Sequence, residues 1–381
     1  MRSRRTPLVC LCMIVRDEEE VVERALRSAF DFADYFVLVD TGSTDETVTR
    51  VRQVLVERPH TVLISAWKGF AESRNEALAV ARQHGEYVVF LDADDYFSGD
   101  AVRAKAQLAA ARAWVCFGYQ GWMRHAMTFA VHRDEPFHWS GSRHEFLVGD
   151  DGTQSPDYRL LQDFTVRYTH QGARSRQSDA WRNDVNALTD EMERVESADT
   201  TTQAARTMFY RARSLQALGD VDAAIIAFQR RAEFYNGDEE ERWYSELSAT
   251  RLLEMQRPDR MWLITKYTNL IIARPDRAEP YLDLARQFRM SGRFHEAEKL
   301  GMHCGGMSIP DDWVQVDTAS YSIHAWDEVA VNCFHTARFD AAAKLWKLSQ
   351  LFGSQSCADR ARIRNAVADC ARNLKIAKLA F

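Results

Sequence analysis

Up to about residue 100 the chain alternates continuous apolar runs with helix-period segments, and polar residues collect where the apolar runs end. Strands buried on both faces read as unbroken hydrophobic runs, so this alternation predicts a parallel sheet with covering helices. Residues 8–15 form the first run. Next, Val21, Val22, Ala25, Leu26, Ala29 and Phe30 recur at three- and four-residue steps, one stripe of a helix. Residues 35–39 read as a second strand ending in Asp40-Thr41-Gly42-Ser43-Thr44-Asp45-Glu46, where Ser43 and Glu46 have capping-box spacing for a helix through Val48, Val51 and Leu55. A short strand at 61–64, a helix over 71–84 with Gly85 as its C′ residue, and a strand over 87–91 follow. That last strand runs straight into Asp92-Ala93-Asp94-Asp95. Ligands of open α/β sheets sit at the carboxyl ends of the strands, which puts Asp17, Asp40 and Asp92 to Asp95 on one rim.

The sequence Met1-Arg2-Ser3-Arg4-Arg5 before the first run imitates a signal peptide, but Arg16-Asp17-Glu18-Glu19-Glu20 follows at once. A buried strand ending in a polar loop explains this better than an export signal. No 18 consecutive apolar residues occur, so no transmembrane helix is expected. Between 114 and 172, short β-like pieces rich in Trp, Phe, His and Gly predict a smaller mixed sheet that completes the same domain.

Beyond about residue 175 helix-period segments dominate, and they contain a repeat. The offsets of Ala212, Leu215, Gly219-Asp220-Val221, Ala224 and Phe228 are those of a tetratricopeptide helix pair. They recur as Ala285, Phe288, Gly292-Arg293-Phe294 and Ala297, and again as Ala330, Cys333, Ala337-Arg338-Phe339, Ala342 and Trp346. The turn positions lie 73 and 45 residues apart, leaving room for a degenerate repeat at 243–275 and a non-helical insertion at 304–315. An irregular helical bundle is the alternative. With 381 residues, 46% of them hydrophobic, there is material for two cores. We expect an α/β domain over 1–175 and an all-α tetratricopeptide-like domain over 176–381 that binds an acceptor or dimerises.

Charge and cysteine content narrow the function. Forty-nine basic against 55 acidic side chains give a net charge of −6, with no bulk cationic field to attract nucleic acid or an anionic membrane. Seven cysteines without metal-ligand spacing read as reduced thiols of a cytoplasmic protein.

The strongest chemical signal is Asp92-Ala93-Asp94-Asp95. Alternate residues at a strand end point the same way, so Asp92 and Asp94 can converge on one hard cation; a solvated, helix-capping turn is the structural alternative. Asp40 could accept hydrogen bonds from a base or ribose, or simply serve its turn. Arg74 and Asn75 stand in the first turns of a helix after Trp67 and Phe70; a cation there opposes the helix dipole and suits a phosphate or a base, unless it is only a surface arginine.

LCMIVRDEEE, VLVDTGSTDETV, WKGFAESRNEAL and VVFLDADD, in this order, resemble the successive motifs of family-two glycosyltransferases of the GT-A fold, whose core is a Rossmann-like mixed sheet. The match is close over the first 100 residues or so and looser over the next 75. A GT-A domain followed by tetratricopeptide-like helices is similar to the subgroup that includes the peptide S-glycosyltransferases of glycocin biosynthesis. The resemblance implies that Arg16, Asp17, Glu18 and Asp40 hold the nucleotide. It also implies that Asp92 and Asp94 are the family's DxD, with Asp94 on a Mg²⁺ or Mn²⁺ ion that bridges the diphosphate. Asp17 stands where relatives usually have asparagine. In Phe137-His138-Trp139-Ser140-Gly141-Ser142-Arg143-His144-Glu145-Phe146, Glu145 matches the position of a catalytic base, with His144 as the alternative; the Glu-Asp dipeptide of other members is absent. His170, before Gln171-Gly172, resembles a third metal ligand, although a lone histidine is often structural.

The resemblance further implies inversion by single displacement, with no sugar-bound intermediate. The donor expected is UDP-glucose or another UDP-hexose, and the acceptor a peptide or protein side chain. A saccharide, a natural product or a modified nucleic acid is the alternative acceptor, the last disfavoured by charge. Neither a GxGxxG turn nor a P-loop is present, which leaves dehydrogenases and P-loop enzymes unsupported. A helical-repeat binding protein with a degenerate GT-A domain competes from a different class. In that reading Trp243, Tyr244, Trp262, Trp313, Trp326 and Trp346 could line a groove, or else pack between helices; a homodimer through the helices is open to either reading.

Overall fold

Strand β1 (Val9–Val15) pairs in parallel with β2 (Tyr35–Asp40) on one side and β4 (Tyr87–Phe90) on the other, and β2 pairs in parallel with β3 (His60–Ile64). This computed structural model describes residues 8–150, 156–197, 201–256, 259–349 and 357–379. The sheet continues in the order β3-β2-β1-β4-β7-β6-β10-β5, with β7 antiparallel to β4 and β6, β10 parallel to β6 and β5 antiparallel to β10. Here β5 is Tyr96–Gly99, β6 is Ala113–Gln120, β7 is Met123–His132 and β10 is Tyr158–Arg167. The expected short strands after residue 113 thus mostly extend the first sheet; only β8 (Phe137–Ser140) and β9 (Phe146–Gly149) form a separate hairpin.

Period-two alternation divides β1 between two cores. Val9, Leu11, Met13 and Val15 face α1 (Val22–Ser28), α2 (Thr47–Val54) and α4 (Ala101–Gln107), whereas Cys10 and Cys12 face α3 (Phe70–Ala81). The run that imitates an export signal is therefore a central strand. Cys10, Cys12, Cys116, Cys304, Cys333 and Cys370 are free and buried.

Two local expectations fail for identifiable reasons. No capping box forms, because the Ser43 hydroxyl is bound to Asp40 while the Asp45 carboxylate takes the Thr47 N–H at 2.9 Å and the Glu46 N–H goes to Glu19. Gly85 is not a C′ residue, since α3 ends at Ala81. Its lack of a side chain lets it approach β1, where a Cβ would stand 2.7 Å from the Cys10 backbone nitrogen.

Contacts divide the chain into two units: Met1–Ala224 with Asn236–Asp238, and Ile225–Tyr235 with Glu239–Phe381. Helices α5 (Ala180–Ser197) and α6 (Thr201–Leu218) belong to the first unit. The second is all-helical apart from one short strand and is built from α8 (Glu239–Gln256), α9 (Arg260–Ala273), α10 (Glu279–Met290), α11 (Phe294–Gly305), α12 (Ile323–His335), α13 (Phe339–Ser349) and α14 (Cys357–Leu379); α7 (Val221–Glu233) spans the division.

The repeat signature has a physical basis in its corners. Gly219, Gly292 and Ala337 all adopt left-handed backbone, with φ of +85°, +74° and +63°. After each, the next residue's N–H returns five residues to a helix carbonyl: Asp220 to Leu215, Arg293 to Phe288 and Arg338 to Cys333. This is the Schellman closure. The small residues Ala212, Ala224, Ala285, Ala297, Ala330 and Ala342 are wholly buried where helices approach. The degenerate repeat is the α8–α9 pair, and the segment after α11 is the non-helical insertion. Arg277, fully buried, holds that insertion through Asp312 at 2.8 Å and the Gln315 carbonyl at 2.7 Å, with Glu279 completing its pairing at 2.7 Å.

Trp243 and Trp346 are packing residues: they are buried, and their indole N–H groups reach the Leu270 carbonyl and Asp327. Tyr244, Trp262 and Trp326 pack against the same cores, and Trp313 is exposed. No helix among the described residues is long and apolar enough to cross a membrane.

Candidate active site

The loops after β1 and β2 are laced together at the strand ends. The Asp17 N–H donates to Ser43 Oγ at 3.0 Å, Asp17 Oδ1 accepts the Thr44 N–H at 2.7 Å, and the Glu18 N–H donates to Thr47 Oγ1 at 2.7 Å. Asp17 holds a left-handed backbone, φ +54°, which asparagine and aspartate tolerate best. Arg16 is exposed beside it. Asp40 is buried, and its carboxylate accepts the N–H groups of Gly42 and Ser43 as well as the Ser43 hydroxyl. In this conformation it organises its own turn.

Asp92 and Asp94 do not converge as strand-end alternation predicts. The chain turns at once, with the Asp95 N–H on the Asp92 carbonyl at 3.1 Å, and each carboxylate finds its own partner. Arg74 Nη2 donates to Asp92 at 2.6 Å, while Asp94 Oδ2 accepts the Gly172 N–H at 3.1 Å. The segment after β10 wraps this turn. Thr169 Oγ1 donates to the Asp94 carbonyl at 2.6 Å, the Thr169 N–H reaches Asp95, and the Ala173 N–H donates to Glu18 at 3.1 Å. Arg24 from α1 closes the arrangement on the Asp94 carbonyl at 2.7 Å.

Glu18, Asp92, Asp94 and Asp95 are therefore electrostatic neighbours around this turn. Burial pushes the Glu18 carboxyl up to about 7, opposed by the Ala173 N–H and reinforced by the charges of Asp94 and Asp92. Burial, then Asp92 and Asp94, push Asp95 to about 9. Their oxygen donors are of the kind that suits a hard divalent cation such as Mg²⁺ or Mn²⁺. Gly172 makes the close approach possible, because a Cβ there would stand 2.9 Å from Glu18 Oε1 and 3.0 Å from Asp94. His170 is exposed, and among the described residues no three His, Cys, Asp or Glu side chains are grouped as a metal set.

Arg74 joins the acidic turn to the predicted base, with Nε 3.4 Å from Glu145 Oε2. Burial disfavours its charge, but Asp92 and Glu145 outweigh that and hold it protonated. Burial raises the Glu145 carboxyl against the opposing charge of Arg74. Asn75 is committed to structure: its amide donates to the Trp139 carbonyl at 2.9 Å and accepts the Trp139 N–H at 2.7 Å, fastening β8 to α3. His144, at φ +54°, stacks on Tyr210 with ring centroids 4.1 Å apart. Burial and then the charges of Arg213, Arg174, Arg206 and Arg143 hold its imidazole neutral, which makes it a weak base.

The loop carrying His144 and Glu145 is positioned by α5 and α6, a relationship sequence reasoning missed. Glu191 of α5 accepts the Ser142 N–H at 2.9 Å and its hydroxyl, and buried Asp184 pairs with Arg143 at 2.7 Å and with Arg174. Both acids share the buried face of α5 with Leu188 and Met192. Gly172, two residues after His170, carried a local signal; Arg24, Thr169 and Tyr210, also missed, did not.

An α/β GT-A domain followed by a tetratricopeptide-like helical domain is the class of protein that this architecture defines. Residues 10–123 match the family described as Glycosyl transferase family 2, so the first unit contains a domain of that family. The TPR repeat-containing protein Synpcc7942_0270 of Synechococcus elongatus is 40% identical over 88 residues, 23% of this chain and 20% of the relative. The teichuronic acid biosynthesis glycosyltransferase described as TuaG of Bacillus subtilis is 30% identical over 121 residues, 30% of this chain and 47% of the relative. The chain thus spans less than half the length of either. The S. aureus TarS structure in complex with UDP-GlcNAc aligns over 80% of this chain and 93% of its own at 13% identity and a TM-score of 0.36.

Proposed function

We propose that this chain is a metal-dependent, inverting glycosyltransferase that moves a hexose from a UDP-linked donor, UDP-glucose or a close relative, to a peptide or protein side chain. The observation that carries the reading is that Glu18, Asp92 and Asp94 influence one another's charge at the strand ends of a family-two domain, beside the nucleotide-side loops that hold Asp17 and Asp40. Transfer builds negative charge on the leaving diphosphate, and a Mg²⁺ or Mn²⁺ ion held by Asp94, with Asp92 and Glu18 beside it, would neutralise that charge. Arg16, Asp17, Glu18 and Asp40 line the nucleotide side. Arg74 orients Asp92 and Glu145 together. Glu145, protonated more readily than an ordinary glutamate, accepts the acceptor's proton.

The peptide acceptor rests on the domain order. In the helical unit, a cavity of about 690 Å³ lined by Arg251, Glu254, Asp283, Arg286, Asp327 and Glu328 supports its use in holding a polar partner, and a homodimer through these helices is compatible with it. The reduced, buried cysteines support a cytoplasmic site of action. A saccharide acceptor is the second reading, favoured by the similarity to TuaG. Calorimetric titration of UDP into wild type and Asp94→Asn, each with and without Mn²⁺, tests the donor site. Binding that needs both the metal and Asp94 supports transfer; metal-independent binding, or none with any nucleotide, removes it and leaves the helical repeats as the functional part. If purified protein with candidate peptides and UDP-hexoses yields no hexose mass shift, the peptide acceptor falls.

A further inference from the structure

Helix α6 places Arg206, Tyr210 and Arg213 on one face, at steps of four and three residues. Tyr210 is an aromatic plate: His144 stacks on it at 4.1 Å, and the Arg206 and Arg213 guanidinium carbons lie 4.7 and 5.6 Å from its centroid. Arg143 and Arg174 are neutralised by Asp184. Arg213 is different. It is half-buried, its contacts are with the rings of Tyr210 and Phe209, and among the described residues no carboxylate pairs with it.

A second plate adjoins the acidic turn. His125 stacks on Tyr168 with centroids 4.7 Å apart, and Tyr168 lies against Gly118, where any Cβ would collide with its ring. Tyr168 immediately precedes Thr169, which binds the Asp94 carbonyl. Through Tyr210 and the stacked His144, Arg213 stands beside the loop that carries Glu145.

We infer that Arg213, backed by Tyr210, is an anion-recognising subsite for the acceptor, which presents a carboxylate or phosphate beside the atom to be glycosylated. Arginine matches such planar or tetrahedral oxyanions by paired donors, and a half-buried guanidinium without an internal counter-charge is left to bind one from outside. The position next to the loop of Glu145, rather than among the nucleotide-side loops of Asp17 and Asp40, assigns the anion to the acceptor and not to the donor. The inference rests on the glycosyl-transfer reading.

The test uses the full chain, with and without UDP and Mg²⁺, titrated calorimetrically with inorganic phosphate, with succinate and with neutral glycerol, in wild type, Arg213→Gln and Arg213→Lys. Phosphate or succinate should bind where glycerol does not. Arg213→Gln should weaken that binding at least tenfold, Arg213→Lys should restore part of it, and UDP affinity should be the same in all three proteins. The stronger of phosphate and succinate names the anion. Equal binding of glycerol, or anion binding indifferent to Arg213→Gln in a variant whose melting is unchanged, overturns the subsite. If UDP displaces the anion and Arg213→Gln weakens UDP instead, the residue serves the donor diphosphate and the acceptor assignment is wrong. Arg213-dependent anion binding in a protein that binds no nucleotide would remove the transferase reading while retaining the anion site, so the two failures are distinguishable.

Discussion

The Glu191 carboxylate on α5 accepts the backbone N–H of Ser142, 2.9 Å away and 49 residues earlier in the chain. It also takes the Ser142 hydroxyl and the side chains of Gln203 and Thr207, so one acid gathers the loop before Glu145 and both helices. Glu191→Ala leaves these donors without an acceptor, at a cost of about 2–3 kcal/mol. Hexose transfer should fall at least tenfold while UDP affinity is unchanged, which steady-state kinetics and nucleotide titration separate.

Gly172 admits no side chain beside Glu18 and Asp94. On the proposed function, Gly172→Ala should weaken metal-dependent UDP binding by about tenfold or more, because its Cβ would push Glu18 and Asp94 apart. Metal-supported affinity equal to wild type would show that these carboxylates do not share one ion.

Arg74 and Glu145 are both largely buried, with side chains 14% and 9% exposed. Removing the cation alone, in Arg74→Met, strands Glu145 and should cost about 3 kcal/mol in denaturant unfolding. Adding Glu145→Gln should recover part of that loss, a coupling read from the double-mutant cycle.

Acid sensitivity has a specific source in His125. Burial, then the charges of Arg213 and His170, lower its pKa from 6.5 to about 4, so the unfolded chain takes up the proton first as pH falls. The stability it contributes is complete above pH 6.5 and is lost as pH drops through that value toward 4, by up to about 3 kcal/mol. His125→Phe keeps a ring on Tyr168 and should flatten the pH dependence of unfolding in this window. Glu18 and Asp95, whose pKa values are raised, act in the opposite sense and are common to both proteins.

The third repeat corner carries Ala337 at φ +63°, where the first two have glycine. A Cβ in left-handed backbone costs about 1–2 kcal/mol and the entropy of glycine returns about 0.5–1 of it, so Ala337→Gly should stabilise the helical unit by about 0.5–1 kcal/mol. Chemical unfolding of the two proteins checks this.

The strands and repeats were readable because each rests on a short-range rule. A doubly buried strand must be continuously apolar, as Val9–Val15 is, and a helix corner needs a residue that tolerates positive φ, which marked Gly219 and Gly292. Side-chain partnership was not readable in the same way. Period-two reasoning put Asp92 and Asp94 on one side, but the turn at Asp95 and the competition of Arg74 and Gly172 separated them. Asn75 had the composition of a ligand contact, yet its amide matches both backbone groups of Trp139 in β8. Glu191, Asp184 and Tyr210 act across more than 40 residues of sequence, where no local pattern reports the partner.

The grip of α5 and α6 on the loop at 142–144 sets a rule for cutting and recombining this chain. A fragment ending near residue 175 would keep β1 to β10 and still release the segment bearing Glu145. A chimera that exchanges the helical part for another binding module has to carry the native chain at least through Arg213, so the usable splice point lies inside the run of helices rather than at the border where strands give way to them.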